Sequence, residues 1–152
     1  RVSRELREIY TGLYPSMLTD LGLDSTIRWC IKNYLAASGI QAEYINTINI
    51  KLCLDAEVNI YRILQELFNN IVKHSGADKI QLRIFEEKEN IVIDLGDNGK
   101  GFSVEMLNAD SCGTGLINIR QRVEYLEGKI FLDTGDAGTH VRIKLKSESV
   151  KF

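Results

Sequence analysis

The strongest constraint on the fold is a change of hydrophobic period close to Gly76. From Asp55 to His74, apolar residues recur at three- and four-residue intervals, which predicts a long amphipathic helix with Asp55 as its N-cap. The apolar positions of this helix are Ile60, Ile63, Leu64, Leu67, Phe68, Ile71 and Val72. Beyond Gly76 the period is two, at Ile80, Leu82 and Ile84 and again at Ile91, Ile93 and Leu95. This alternation predicts two strands of a hairpin, connected at Glu87 to Asn90.

The residues before this helix predict an N-terminal extension and one more helix. The first ten residues have the charged composition of a helix, which we expect Gly12 and Pro15 to interrupt. A second helix is predicted between Asp24, as its N-cap, and Gly39, which would end it. A strand should follow that helix.

The C-terminal part predicts one helix and two paired strands. The helix follows Gly115 and ends at Gly128, and strands 129–133 and 139–146 pair across a glycine-containing turn. The last strand separates Val141, Ile143 and Leu145 on one face from His140, Arg142 and Lys144 on the other. Helices that alternate with mixed, mostly antiparallel strands predict a two-layer α/β sandwich, with one sheet covered on one face by helices.

Composition limits the classes of function. The 152 residues carry 19 basic and 21 acidic side chains, a formal charge of -2, so no basic field favours nucleic acid or anionic lipid. Cys30, Cys53 and Cys112 lack the spacing of a zinc site or a disulfide framework, which favours a reducing compartment. No apolar run approaches the ~20 residues of a membrane span. We therefore expect one soluble, cytoplasmic domain whose first residues resemble the end of a longer helix, from a parent protein that a membrane can still anchor.

Polar residues line the predicted long helix opposite its apolar stripe, at Arg62, Glu66, Asn70 and Lys73. Magnesium prefers hard oxygen ligands, so the side-chain amide of Asn70 is the candidate metal ligand beside nucleotide phosphates. Glu66 is the candidate general base or orienting carboxylate, and Lys73 the candidate cation for phosphate oxygens. A solvated helix face is the alternative interpretation of this stripe.

A glycine-rich loop, Asp97-Asn98-Gly99-Lys100-Gly101, follows the second hairpin strand. It contains neither the P-loop sequence nor the third glycine of a dinucleotide fingerprint. Asp97 can accept a hydrogen bond from the exocyclic amine of adenine, where guanine offers a carbonyl, and two facing acceptors cost on the order of 1–3 kcal/mol in an enclosed site. The loop therefore predicts ATP in preference to GTP, and a type I′ turn without a ligand is the alternative.

A second glycine motif, Gly113-Thr114-Gly115, lies immediately before a predicted helix. Free amides and the helix dipole attract phosphate at such a position, although a loop-to-helix turn also needs glycine. The mixed polar residues 103–112 before it are expected to form a mobile lid.

Three other positions have weaker signals. Gly138-Thr139, at the start of the last strand, can line a base pocket or simply form a hairpin turn. His74 ends the long helix, where it either contacts a phosphate or has a structural role. His140 falls on the polar strand face and is expected to be solvated.

The ordered motifs are similar to the catalytic ATP-binding domain of bacterial sensor histidine kinases, members of the GHKL superfamily with gyrase-type, mismatch-repair and chaperone ATPases. The motifs are Glu66-Leu67-Phe68-Asn69-Asn70 with Lys73-His74-Ser75, then Asp97-Asn98-Gly99-Lys100-Gly101-Phe102, Gly113-Thr114-Gly115-Leu116, and Gly138-Thr139. The Asn-Asn-x-x-Lys-His motif and the compact lid most resemble those of the nitrate/nitrite-sensor subfamily. The resemblance covers about residues 20–146.

The resemblance implies the GHKL (Bergerat) fold and a role for each motif. Asn70 would hold Mg2+, Glu66 would serve as base or orienting carboxylate, Lys73 and His74 would meet phosphates, and Asp97 would read adenine. The other implied ATP-binding positions are Gly99, Gly101, Gly113, Thr114, Gly115, Leu116 and Thr139.

The resemblance also implies an intact, homodimeric kinase that transfers the γ-phosphoryl group of ATP to a histidine and then to an aspartate of a response regulator receiver domain. Neither His74 nor His140 has the His-Asp or His-Glu context of a phosphoacceptor. We expect a linker helix at 1–20 continuing from an absent dimerisation and phosphoacceptor region, a catalytic domain at 21–147, a tail at 148–152, and a monomeric fragment. The alternatives are an ATPase-driven conformational machine of the same superfamily and a non-enzymatic protein-binding module with a vestigial pocket.

Overall fold

The structure, a computed structural model, describes residues 4–101 and 110–152, with side chains from residue 16 and, after the gap, from residue 115. The helices are α1 (Arg4–Cys30), α2 (Leu54–Asn70), α3 (Asp110–Tyr125) and the single turn α4 (Ser147–Val150). The strands are β1 (Gln41–Asn46), β2 (Lys79–Glu87), β3 (Asn90–Asp97), β4 (Lys129–Gly135) and β5 (Gly138–Lys146). Two π-helical turns, Ile31–Leu35 and Ile71–Ser75, extend α1 and α2.

The five strands form one sheet in the order β1-β2-β3-β5-β4. Strand β1 runs parallel to β2, and every other neighbouring pair is antiparallel. Strand β2 ends at Glu87 and β3 begins at Asn90, so the two strands are connected where the sequence predicted. Strand β5 buries Val141, Ile143 and Leu145, as expected. The predicted fold class, a mixed and mostly antiparallel sheet with helices, is confirmed.

The core lies between one face of the sheet and the helical layer, and α2 runs through the middle of that layer. Its predicted apolar stripe is buried except at Val72, which is partly exposed. The periodicity did not predict the burial of Asn59, Tyr61 and Gln65. These side chains are covered because α1 and α3 both pack against α2, so little of this helix remains open to water.

The predicted interruption of the first helix at Gly12 and Pro15 is wrong, because the backbone of α1 remains helical through both residues and bends at Gly22 instead. Gly22 has φ +84°, a left-handed value that costs other residues roughly 1–2 kcal/mol. The amide of Leu23, freed by the bend, donates to the carboxylate of Glu57 at 3.1 Å. A contact with α2 therefore stabilises the bend at this position. The local positions of glycine and proline in the sequence do not predict such a contact.

Both predicted aspartate N-caps are also wrong. Asp24 lies within α1, and its carboxylate accepts hydrogen bonds from the Tyr44 hydroxyl at 2.7 Å and from Arg28 at 3.0 Å. The N-cap of α2 is Cys53, and Asp55 lies in the first turn, where a negative charge favours the helix N-terminus. Neither carboxylate caps a helix, because each accepts a hydrogen bond from a tyrosine that is distant in sequence, Tyr44 for Asp24 and Tyr125 for Asp55.

The C-terminal ends of the helices follow the expected pattern with one exception. Gly39 and Gly76 adopt left-handed conformations, as predicted. At the end of α3 the left-handed residue is Glu127, with φ 56°, and not Gly128. The amide of Gly128 donates to the carbonyl of Val123 at 2.8 Å, which completes a Schellman motif one residue earlier than predicted.

The last residues pack against the domain. Val150 of α4 is fully buried, and its carbonyl accepts a hydrogen bond from the amide of Cys53 at 2.9 Å. Leu52 and Lys151 form an isolated antiparallel bridge. Near the other end, Leu18 of α1 is also buried in the core.

The proposed division into linker, catalytic domain and tail remains a prediction. No helix within the described ranges has the length and hydropathy that crossing a membrane requires.

Candidate functional site

The candidate site lies where α2 ends beside the ends of β3 and β5. Asn70 is the last residue of α2, and Asp97 is the last residue of β3. Both line one narrow hollow of about 30 Å³, together with Thr139 of β5. The other lining residues are apolar: Leu67, Ile71, Leu95, Leu116, Ile119, Leu132 and Val141. Two polar residues that are 27 positions apart in the sequence therefore meet in one largely apolar space.

Two backbone amides hold the carboxyl group of Asp97. The amide of Gly99 donates to its Oδ1 at 2.8 Å, and the amide of Thr139 donates to the same carboxyl group. Burial raises the pKa of Asp97 above its ordinary value, and these two hydrogen bonds only partly oppose that effect. The carboxylate is thus oriented but incompletely compensated, so it can still accept a hydrogen bond from a ligand.

The loop after Asp97 packs closely on its surroundings. A side chain at Gly99 would overlap the carbonyl of Ser75, and a side chain at Gly138 would overlap the carbonyl of Asp97. The amide of Lys100 donates to the carbonyl of Ser75 at 2.9 Å. Glycine at these two positions is therefore what lets the loop lie between the end of the α2 extension and the β4–β5 hairpin.

Glu66 and Asn70 lie one turn apart on α2, and α3 passes over both. A Cβ atom at Gly115 would lie 3.0 Å from Glu66 Oε2 and 3.6 Å from Asn70 Oδ1. Both oxygens therefore face the first turns of α3. These are hard oxygen donors of the kind that magnesium accepts.

The prediction that Gly113, Thr114 and Gly115 precede a helix is wrong, because α3 already begins at Asp110. Glycine inside a helix costs ~1 kcal/mol relative to alanine, so local preference argued for a loop. Packing of α3 on α2 favours the longer helix. Residues 103–109 of the predicted lid lie outside the described part of the chain. The last three residues of the predicted lid, 110–112, belong to α3.

Lys73 and His74 follow in the π-helical turn Ile71–Ser75. Lys73 is exposed and His74 is partly buried. Neither is among the described residues that line the narrow hollow. The structure brings Asn70, Asp97, Leu116 and Thr139 together there, whereas it places the two predicted phosphate contacts outside.

A polar cluster on the opposite face of the sheet was missed by sequence reasoning. Asp94 is only 5% exposed and accepts hydrogen bonds from Arg83 at 2.8 Å and Arg142 at 3.1 Å. His140 is exposed, as predicted, but its Nε2 also makes a short contact with the same carboxylate, which the sequence did not predict. Burial would raise the pKa of Asp94, but these hydrogen bonds and the charge of His140 outweigh it and hold the pKa below its ordinary value.

Strand register is the signal that could have found this cluster. Once β2 and β3 are joined at the predicted connection, Arg83 lies opposite Asp94, and β5 then places Arg142 on the other side. The hollow beside these residues has a volume of about 380 Å³, larger than the one between α2 and the sheet. It contains neither Asn70 nor Asp97, so we assign the candidate site to the narrow hollow.

Comparison with known proteins places the whole chain in context. The sequence profile of the family described as "Histidine kinase-, DNA gyrase B-, and HSP90-like ATPase" matches residues 55–149. The sensor histidine kinase MctS of Rhizobium johnstonii is 30% identical over 90% of the chain, and DegS of Bacillus subtilis, a signal transduction histidine-protein kinase/phosphatase, is 32% identical over 86%. The chain spans only 30% and 36% of the lengths of these two curated relatives.

Solved structures agree on the fold. The histidine kinase domain of a blue-light activated histidine kinase from Erythrobacter litoralis EL346 matches 83% of the chain and 61% of its own length, with a TM-score of 0.71 and 18% identity. The histidine kinase AdeS of Acinetobacter baumannii matches 82% of the chain and 63% of its own length, with a TM-score of 0.70 and 20% identity. At these identities the likeness supports the architecture alone.

Proposed function

Because the chain belongs to the family of histidine kinase-, DNA gyrase B- and HSP90-like ATPases, we propose that its hollow between α2 and the sheet binds Mg-ATP for phosphoryl transfer to a histidine. The observation that carries this proposal is that Asn70 and Asp97 line the same hollow. One supplies an amide oxygen and the other an oriented carboxylate. The apolar residues between them suit a purine ring.

The adenine end of the proposed site is at Asp97. Its carboxyl group already holds two backbone amides, so its remaining acceptor capacity is available to the exocyclic amine of adenine. Guanine would bring a carbonyl to the same place and set an acceptor against an acceptor. Thr139, which lines the hollow and is 6% exposed, lies beside this subsite.

The phosphate end is at Asn70 and Glu66. An amide oxygen and a carboxylate oxygen that face the same side fit the preference of Mg2+ for oxygen donors, so Asn70 would hold the ion. The bound ion would neutralise charge on the phosphate oxygens. Glu66 would orient the attacking imidazole or accept its proton. Lys73 and His74 follow Asn70 by three and four residues but lie outside the hollow. They would contact phosphates only if the bound nucleotide extends beyond the hollow.

The space for the nucleotide requires α3 to move. Ligand pockets typically have volumes of roughly 300–1,000 Å³, and the present hollow is about 30 Å³. Leu116 and Ile119 of α3 form part of its wall. We therefore propose that the structure is a closed form and that ATP binds after the first turns of α3 separate from Glu66 and Asn70. The observed affinity for ATP would then be lower than that of the open form, in proportion to the fraction of molecules that are open.

The transfer step needs a histidine that this chain does not supply in a phosphoacceptor context. We propose that a dimerisation and phosphoacceptor region of the same kinase provides it, with α1 as the connection. An imidazole nitrogen would attack the γ-phosphorus, and the bond to the bridging oxygen of ADP would break. The phosphoryl group would pass on to a receiver-domain aspartate, and the intact kinase would be a homodimer acting in the cytoplasm.

The test joins this chain to the proposed dimerisation and phosphoacceptor region of its parent protein. With labelled ATP and magnesium, we expect label on a histidine of the added region, and Glu66→Gln should abolish that label while nucleotide binding persists. Asp133→Asn, which changes an exposed carboxylate of β4, is the control and should label normally. Release of phosphate without labelled protein would instead favour an ATPase machine, and no nucleotide turnover of either kind would contradict catalysis.

A further inference from the structure

Asn98 connects the two halves of the proposed site. Its side-chain oxygen accepts hydrogen bonds from the backbone amides of Asp78 and Lys79, each at 3.1 Å. Its side-chain nitrogen donates to the carboxylate of Asp78 at 2.7 Å. All three bonds cross from the loop after β3 to the residues that lead from the α2 extension into β2.

The location of this contact gives it a role beyond holding two loops together. Asn98 lies between Asp97 and Gly99, which are the two partners of the turn that orients the Asp97 carboxyl group. On the other side, Asp78 follows the π-helical turn that continues α2 from Asn70. Asn98 therefore fixes the adenine end of the site relative to the element that carries the proposed metal ligand.

We propose that Asn98 and Asp78 form a positioning pair that sets where the Asp97 carboxylate lies in the nucleotide pocket. This inference rests on the proposed binding of ATP and adds to it a residue that touches neither nucleotide nor metal. Asn98 and Asp78 are both exposed, so the fold does not require their side chains for its core. Their effect should appear in base selectivity.

The chemistry of the pair makes the proposal testable by exchange. In Asn98→Asp, two carboxylates face each other and the donor to Asp78 is lost. In Asp78→Asn, an amide oxygen replaces the accepting carboxylate oxygen, so Asn98 keeps its three partners. In the double variant Asn98→Asp with Asp78→Asn, a carboxylate at position 98 accepts from both backbone amides and from the new amide at position 78. The hydrogen-bond pattern then returns with reversed polarity.

The experiment measures calorimetric affinities of the full chain for ATP and for GTP. The two nucleotides carry the same phosphates, so their affinity ratio cancels any general effect of an added charge. We expect Asn98→Asp to lower the ATP-to-GTP ratio about tenfold, equivalent to ~1.4 kcal/mol. Asp78→Asn alone should change it by less than about twofold, and the double variant should return to within about threefold of the wild type. Thermal unfolding shows whether each variant is folded.

Two results would overturn the pairing. An unchanged ratio in Asn98→Asp would mean that the contact does not position Asp97, and a lowered ratio that the double variant fails to recover would mean that the pair is not its cause. If the wild type binds neither nucleotide, the proposed function fails separately. Hydrogen exchange of the Gly99 amide then decides the positioning role, because it should accelerate in Asn98→Asp and recover in the double variant, and equal exchange in all forms would refute it.

Discussion

Asp97→Asn is the substitution that bears most directly on nucleotide selection. The amide of Gly99 already donates to Asp97 Oδ1, so an asparagine would keep its one oxygen toward this donor. Its amide nitrogen would then face the ligand. For adenine, this places a donor against the exocyclic amine, and for guanine it places a donor against a carbonyl.

The size of the effect follows from that geometry. A hydrogen bond to a charged group contributes roughly 1.5–3 kcal/mol, so its loss should weaken ATP binding by about 10- to 100-fold. GTP binding should stay level or improve, and the ATP-to-GTP ratio should collapse. The fold should not suffer, because burial raises the pKa of Asp97 and shows that its charge is unfavourably placed in the absence of ligand.

Isothermal titration with ATP and GTP, combined with thermal unfolding, measures both consequences. Asp133→Asn is a matched control, because it removes one exposed carboxylate of β4, which β5 separates from β3, and Asp133 does not line the narrow hollow. An Asp97→Asn protein that binds ATP as tightly as the wild type would refute the adenine assignment. A variant that loses ATP and GTP equally would refute the selectivity argument while leaving the pocket in place.

Four further outcomes are expected. Asn70→Ala should remove the dependence of ATP affinity on magnesium, and calorimetry with and without magnesium would contradict this if the dependence remained. The pKa of Asp97 is raised, so ATP affinity should begin to fall at a pH above the range of an ordinary aspartate near 3.8, and affinities measured from pH 7 to 4 should not show that fall in the Asp97→Asn variant. The pKa of Asp94 is lowered, so its charge stabilises the fold above its ordinary pKa of 3.8 and this contribution is lost as the pH falls through the folded-state value. Asp94→Asn should therefore lower the free energy of unfolding at pH 7 by ~1–2 kcal/mol, and urea titrations should show a smaller difference between the two proteins at pH 3. Glu127→Gly should raise the free energy of unfolding by ~0.5–1 kcal/mol, because it relieves a left-handed glutamate, and an unchanged urea midpoint would contradict this.

Local sequence patterns predicted the elements that carry the proposed site. The 3.6-residue period indicated which face of α2 is apolar and placed Asn70 on the polar stripe opposite it. The period of two fixed the end of β3, and with it Asp97. The predicted family is confirmed by the profile match and by the curated relatives. These parts were predictable because each depends on the chemistry of neighbouring residues.

The differences at α1, at α3 and at the Asp94 cluster depend on contacts between distant residues. The bend of α1 lies at Gly22, where Glu57 of α2 accepts a hydrogen bond from the amide of Leu23. The first two turns of α3 include Gly113 and Gly115 because the helix packs on α2, against the helix preference of glycine. The Asp94 cluster appears only once three strands are in register, which no single segment of the sequence specifies.

The most direct test of the central claim is a crystal structure of this chain with magnesium and a non-hydrolysable ATP analogue. We expect the adenine amine within hydrogen-bonding distance of Asp97, the ion on the side-chain oxygen of Asn70, and the first turns of α3 displaced from Glu66. A nucleotide bound elsewhere, for example beside Arg83 and Arg142 on the opposite face of the sheet, with the hollow between α2 and the sheet still closed, would contradict the claim.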